Sequence, residues 1–337
     1  MIDLVKNKGN TGIIQAYSHW QHRFSDKIVL NTGIHFEDFL LNGSYSIEPR
    51  IGFNYKIGKR NQLSFGYGLH SQTMPLIVYF FERYDSASAT YSKTNLNLGL
   101  MKAHHFIAGY DFNFAKNFRL KTEIYYQYLF NVPVKGNIKN SYSAINLGGD
   151  YGFPNVDSLA NKGTGYNYGT EFTFEKFFSK HYYFLITTSL FESKYKGSDE
   201  VLHNTKFNGN YVLNTLAGYE FKYGKNKNQA LTIDIKYTLA GGRRYTPVDI
   251  AASQFFNQEI LIDSLAWSKQ LPNYWRFDLK FGFRINTKHA THSIMAVCEN
   301  IFSTKNILDQ SYDRNTKNIL TQYQLGLFPY GAYRIEF

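Results

Sequence analysis

A chain of 337 residues with a single cysteine, Cys298, cannot be a disulfide-framed scaffold. Its net charge of +11 is scattered through turns with no recognisable nucleic-acid module, so the charge serves solubility and anchoring at a lipid surface, and no nucleic-acid partner is expected. Mean hydropathy is −0.38 and no stretch approaches the roughly 18 apolar residues of a spanning helix, while 28 tyrosines and 29 phenylalanines suit strands and interfacial belts.

The opening Met1-Ile-Asp-Leu-Val-Lys6 lacks an apolar core behind a basic start, so it is no secretory leader and a mature or truncated chain is expected. Thirteen strands are predicted, near 11–20, 27–38, 44–57, 61–71, 101–114, 117–130, 164–178, 181–193, 209–223, 229–240, 272–286, 291–302 and 324–337. A strand sends alternate side chains to opposite faces. Between Ser44 and Ile57, Tyr45, Ile47, Ile51, Phe53, Tyr55 and Ile57 share one face, and Glu48, Arg50, Asn54 and Lys56 the other. Leu63, Phe65, Tyr67 and Leu69 likewise oppose Gln62, Ser64 and His70. Phe118, Leu120, Ile124, Tyr126, Tyr128 and Phe130 oppose Arg119, Lys121, Glu123 and Gln127. Further on, Leu231, Ile233, Ile235, Tyr237 and Leu239 oppose Thr232, Asp234, Lys236 and Thr238. Trp275, Phe277, Leu279, Phe281, Phe283 and Ile285 oppose Arg276, Asp278, Lys280 and Arg284. Segments 11–20, 181–193 and 291–302 alternate poorly and are placed by their position between turns.

The connections alternate in kind. Short turns fall at Ser25-Asp26, Gly58-Lys59-Arg60, Ala115-Lys116, Ser179-Lys180, Gly224 to Asn228 and Thr287 to Ala290, with lysines such as Lys176, Lys180 and Lys222 placed to snorkel toward head groups. Long connections fall at 72–100, 131–163, 194–208, 241–271 and 303–323, and only 39–43 is short where a long one is expected. Strands of ten to fourteen residues exceed the five or six typical of a soluble sandwich and fit tilted strands crossing a bilayer. The chain ends on an alternating strand at Phe337, with Tyr333, Ile335 and Phe337 on one face and Arg334 and Glu336 on the other. The expected fold is therefore all-β, a transmembrane antiparallel barrel of the outer-membrane type, with short periplasmic turns and long outer loops. By alternation, the first and thirteenth strands run the same way, downward. Because single-chain barrels are normally even, the reading is a C-terminal part of a larger barrel over 11–337, preceded by a residual extracellular loop at 1–10.

Motifs for covalent chemistry or metal binding are thin. His19 and His22, and His289 and His292, are three apart, which on strands and turns splits each pair between faces. His104-His105 splits likewise. Gly163-Thr-Gly165-Tyr-Asn-Tyr-Gly169 misses the dinucleotide fingerprint and reads as strand entry. No nucleophile elbow supports a hydrolase triad, and Cys298 reads as a packing residue. No cofactor, metal or catalytic residue is expected. Glu48, Arg50, Lys121, Glu123, Asp234, Lys236, Arg276, Asp278, Lys280, Arg334 and Glu336 fall on the predicted interior face, where cross-strand ion pairs would hold register and hydrate a lumen.

Five segments, Gly242-Arg-Arg-Tyr-Thr-Pro-Val-Asp-Ile250, Phe81-Glu-Arg-Tyr84, Asn161-Lys-Gly-Thr-Gly165, Ser193-Lys-Tyr-Lys-Gly-Ser198 and Tyr323-Gln-Leu-Gly-Leu-Phe-Pro-Tyr330, together with Tyr333-Arg-Ile-Glu-Phe337, resemble the C-terminal barrel of TonB-dependent outer-membrane receptors, particularly the Bacteroidetes-type group. The resemblance runs from about Asn10 to Phe337. It implies a barrel of about 22 strands around an N-terminal plug, of which this chain would supply strands ten to twenty-two without the plug. It implies import of a nutrient or chelate across the outer membrane of a Gram-negative bacterium, with the plug and TonB as partners. The interior charges would then face the plug. Arg243, Arg244 and Tyr245, opening a long outer loop, would meet an anionic or sugar-like ligand, unless they and Gly241-Gly242 only shape the loop's exit. Tyr333, Ile335 and Phe337 would be read by the barrel assembly machinery, and outer-membrane lipid would surround the wall. The other classes kept open are a barrel enzyme of lipase or protease type and a structural barrel without substrate.

Overall fold

The computed structural model describes residues 9–86, 88–147 and 156–337. Thirteen wall strands follow one another in space in the order of the sequence: β1 (Ile13–Arg23), β2 (Ile28–Phe39), β3 (Ser44–Lys56), β4 (Asn61–Gln72), β5 (Met101–Ala115), β6 (Phe118–Lys135), β7 (Leu159–Ser179), β8 (Tyr182–Lys196), β9 (Tyr211–Tyr223), β10 (Gln229–Ala240), β11 (Tyr274–Asn286), β12 (Thr291–Glu299) and β13 (Phe328–Glu336). Every ladder is antiparallel. A short strand, Leu202–Asn204, adds to the outer end of β8. Among the described residues, β1 and β13 each pair on one side only, so both are edges of the wall. The expected residual loop at 1–10 falls mostly on residues 1–8, outside the described residues.

Register follows the alternation. Phe53 faces Phe65, Phe65 faces Ala108 and Ala108 faces Ile124 across β3 to β6, and Ile233 faces Phe281 across β10 and β11. These side chains share one face of the wall, Phe65, Ile124 and Phe281 exposed and Phe53, Ala108 and Ile233 half-buried between them, which is what a lipid-facing surface requires. The opposite face carries Arg50 and Gln127 in one cross-strand row, and Asp234 directly opposite Lys280 farther along the wall. A slip of one residue would turn each charge toward hydrocarbon at up to about 2–4 kcal/mol apiece near the midplane. That penalty fixes the register.

Three boundaries depart from expectation. Pairing of β6 with β7 continues past Leu129 through register shifts up to Lys135 and Leu159, because Asn131, in the left-handed region at φ 54°, absorbs the irregularity. β12 stops at Glu299, where Asn300 takes a left-handed conformation, and β13 starts only at Phe328 because residue 324 pairs with Asn306 in the preceding loop. Lys176, expected to snorkel, is instead 3% exposed: its ammonium donates to the Ser179 and Tyr182 carbonyls, each at 2.8 Å, and lies 3.6 Å from the Tyr182 ring centroid. It closes the β7–β8 turn from the apolar side.

The long connections are structured. Glu82–Asp85 pairs with Thr90–Lys93, and Ile307–Asp313 with Asn318–Tyr323. Helices of four and seven residues occupy Leu76–Tyr79 and Ile250–Phe256. The second helix is capped by the Asp249 carboxylate, which accepts from the Ala252 N–H at 2.9 Å, and is ended by Asn257 in the left-handed region. The dry cluster lies in these loops: Phe39 of β2 packs with Met74, Val78, Tyr79, Leu98, Leu100, Val132, Ala144 and Leu159 at the outer end.

Candidate functional site: the charged face and its loop roof

On the polar face, a belt of hydrogen bonds crosses the wall. Glu48 is 2% exposed; its carboxylate accepts from the Ser71 N–H at 2.8 Å, from the Ser71 hydroxyl and from Arg50 at 3.0 Å, and lies 3.0 Å from His35 Nδ1. The His70 ring stacks edge-on against His105, 4.8 Å between centroids, in space left open because Gly68 has no Cβ. Gln127 lies 3.3 Å from His105 and accepts from Asn167 at 2.9 Å. The belt thus runs from β2 to β7 by single-residue steps.

The other predicted interior residues fall on this same face. Lys121 pairs with Glu123 at 2.6 Å, Lys280 with Asp234 at 3.3 Å, Arg276 with Asp278 at 2.9 Å, and Arg334 with Glu336. Asp278 also accepts from the Asn300 N–H at 2.9 Å, which leaves its cross-strand neighbour Lys236 exposed and unpaired among the described residues. Sequence reasoning missed the partners that complete these sets: His35 and Ser71 on Glu48, Asp111 and Glu175 on either side of Arg119, and Glu220 under Arg284. All but Ser71 share the inward parity already used for Glu48 and Glu123, and that was the available signal.

The three residues expected at the mouth separate. Arg244 donates from Nε to the Asn208 carbonyl at 3.1 Å and from Nη2 to Asn210 Oδ1 at 3.0 Å, so its guanidinium fastens one loop to another. Tyr245 pairs with Lys269 in a two-residue ladder. A Cβ on Gly241 would collide with the Gly209 carbonyl, and one on Gly242 with that of Leu271, so the two glycines permit a close crossing of backbones. Arg243 alone presents an exposed side chain with no ion pair among the described residues.

Other loop residues tie the roof together. Asp263 accepts from the Asn140 amide at 3.0 Å and the Ser141 N–H at 3.2 Å, across 122 residues of sequence in the latter case. Buried Asn95 donates to the Val78 and Val156 carbonyls and accepts from the Leu159 N–H. Burial pushes the Tyr142 phenol up to about 12, and its hydroxyl has no hydrogen-bond partner among the described residues. Burial alone would raise the Asp157 carboxyl, but Lys135 at 2.7 Å and Arg83 at 3.4 Å hold it below its ordinary value. On the opposite face an apolar groove of about 470 Å³ surrounds Ala108 between Phe65, Phe106, Ile124 and Tyr126. Among the described residues, no group of three or more His, Cys, Asp or Glu side chains is arranged to hold a metal ion.

A family model described as TonB dependent receptor-like, beta-barrel, matches residues 5–301. No curated protein matches. Among solved structures, the outer membrane transporter YddB from Escherichia coli aligns at TM-score 0.65 and 15% identity, over 98% of this chain and 46% of that one. The ferric yersiniabactin uptake receptor FyuA from Yersinia pestis aligns at 0.62 and 13%, over 96% and 45%. BauA, the ferric preacinetobactin receptor from Acinetobacter baumannii, aligns at 0.62 and 11%, over 96% and 42%. The chain spans less than half the length of these structures, and at such identity the likeness is one of fold.

Proposed function

Because this chain belongs to the TonB-dependent receptor-like β-barrel family, found in the outer membrane of Gram-negative bacteria, we propose that it forms the C-terminal part of the wall of a receptor importing a nutrient or chelate. The observation that carries the reading is the division of one antiparallel wall into an apolar face and a polar face that carries ion pairs and hydrogen bonds, roofed by loops at one end. In this reading residues 11–337 are the barrel part, and the inward charges, from Glu48 and Arg50 to Arg334 and Glu336, form a hydrated surface against which a plug moves. Arg243 is the residue at the mouth still free to meet an anionic ligand. The final strand, with Tyr333, Ile335 and Phe337, is presented to the assembly machinery. TonB supplies the energy, and the chain performs no covalent chemistry. The lipase or protease alternative gains nothing from the belt, since the Ser71 hydroxyl bonds the Glu48 carboxylate and not an imidazole.

The test is uptake by intact cells expressing the protein, offered a panel of labelled ferric chelates and oligosaccharides. Accumulation of one solute, abolished when TonB is removed or the proton gradient is collapsed, is the expected outcome. Solute flux that continues unchanged without TonB would mean an ungated pore and end the reading.

A further inference from the structure

A cavity of about 530 Å³ opens on the inner face of β5 to β8, beneath the roof. Three cross-strand rows of β6, β7 and β8 lie along it, one above another: Glu123, Glu171 and Ser189; Tyr125, Gly169 and Phe191; Gln127, Asn167 and Ser193; all of these but Ser189 and Gly169 line it. Its roof is Ile145, Thr205 and Phe207 from two loops. Glycine at 169 makes the middle row aromatic, because a Cβ there would meet the Tyr125 hydroxyl at 2.8 Å and Phe191 Cβ at 2.9 Å.

Glu123 and Glu171 are direct cross-strand partners, an arrangement of like charges that weakens a sheet. Lys121, 2.6 Å from Glu123, compensates one of them. Glu171 has no ion pair or hydrogen bond among the described residues and is exposed to the cavity. The next charges toward the turn, Arg119 between Asp111 and Glu175, leave a further excess of carboxylate. A chain of net charge +11 therefore keeps an acidic patch at one place on its inner wall, under aromatic side chains. At the upper edge, Asn167 donates its amide to Gln127 at 2.9 Å and holds that side chain against the same space.

We propose that this cavity binds the cationic group, a guanidinium or substituted ammonium, of a small solute. The carboxylate of Glu171 supplies the charge, the rings of Tyr125, Phe191 and Phe207 supply the faces on which weakly hydrated cations rest, and the Gln127 amide oxygen, which accepts once from Asn167, has a lone pair left for the cation's N–H groups. The biological meaning rests on the import reading, in which a solute passes below the loops; the binding itself does not.

The experiment uses isolated outer membranes containing the protein and equilibrium dialysis with labelled n-butylguanidine, against n-butylurea, which has the same shape without the charge. Saturable binding at least tenfold tighter for the guanidine is expected, weakening as salt rises. Glu171→Gln should cost about tenfold, leaving guanidine and urea alike. Phe191→Leu, which keeps the carboxylates, should cost about threefold. Heat-modifiable gel migration and trypsin resistance establish that each variant is folded. Should Glu171→Gln fail to fold, Phe191→Leu decides. Equal binding of guanidine and urea, or guanidine binding indifferent to a folded variant, overturns the proposal, as does absence of saturable guanidine binding. Dialysis requires neither TonB nor energy. Binding without TonB-dependent uptake would therefore sink the import reading alone, and uptake without binding this proposal alone.

Discussion

Replacing Glu48 by alanine asks whether burial, not ion pairing as such, sets the worth of the inner network. Glu48 is 2% exposed and holds Ser71 by its N–H and its hydroxyl, Arg50 at 3.0 Å and His35 at 3.0 Å. The alanine variant leaves the Ser71 N–H at the end of the β3–β4 ladder without its acceptor, at about 1–3 kcal/mol. The Arg50 side chain is 46% exposed and can rehydrate, so its share is discounted to about 1 kcal/mol. A loss of about 3 kcal/mol follows. Glutamine, which keeps the acceptor and drops the charge, should lose about 1 kcal/mol. Arg334→Ala breaks a shorter ion pair, but its side chains are 68% and 51% exposed, so about 0–1 kcal/mol is expected. The assay is guanidinium-induced unfolding of the protein in phospholipid vesicles, read by the fluorescence of Trp20, Trp267 and Trp275. Equal losses for Glu48→Ala and Arg334→Ala, or a loss under about 0.5 kcal/mol for Glu48→Ala, would refute the reasoning.

Phe281→Arg, on the apolar face opposite Ile233 and Ala296, should cost about 2–4 kcal/mol near the midplane and reduce membrane-inserted protein, whereas Lys280→Met on the inner face should insert normally; fractionation of outer membranes measures both. The Asp157 carboxyl, held low by Lys135 and Arg83, contributes stability that is present above its unfolded value near 3.8 and lost as pH falls through its lower folded value. Proteolysis between Lys135 and Leu159 should therefore accelerate only below about pH 4, and Asp157→Asn should give the fast rate at neutral pH. Phe337, 98% exposed at the end of β13, contributes little to the ladder, so Phe337→Asp should lower the yield of folded outer-membrane protein while leaving the unfolding midpoint of what folds unchanged. An unchanged folded yield would remove the assembly role given to that residue.

What the sequence made legible was whatever a period of two can encode. Ten of the thirteen wall strands and their two faces follow from alternation, whereas β1, β8 and β12 alternate weakly and only the turns mark them. The roof was illegible for a physical reason: its contacts join residues far apart, such as Asp263 with Ser141 and Asn95 with Leu159, and no local period records such a meeting. Arg244 looked like a ligand residue because its partners, Asn208 and Asn210, lie in another loop. Gly163, Gly165 and Gly169 read as strand entry, yet their common parity lays a trough along the inner face of β7. The side chain of Ile145 drops against Gly165 there, so that a Cβ would strike it at 2.6 Å. That trough was recoverable from spacing alone. Its occupant was not.

The like orientation of β1 and β13 restricts what company this wall keeps. Two copies set the same way up would bring β1 of one beside β13 of the other in parallel, so their edges cannot be joined by the antiparallel ladder used everywhere else. A head-to-tail ring of identical walls would therefore have to use parallel ladders at its seams, whatever side chains the edges carry. Any strand added to either edge in the pattern of the rest of the wall would run opposite to β1 or β13.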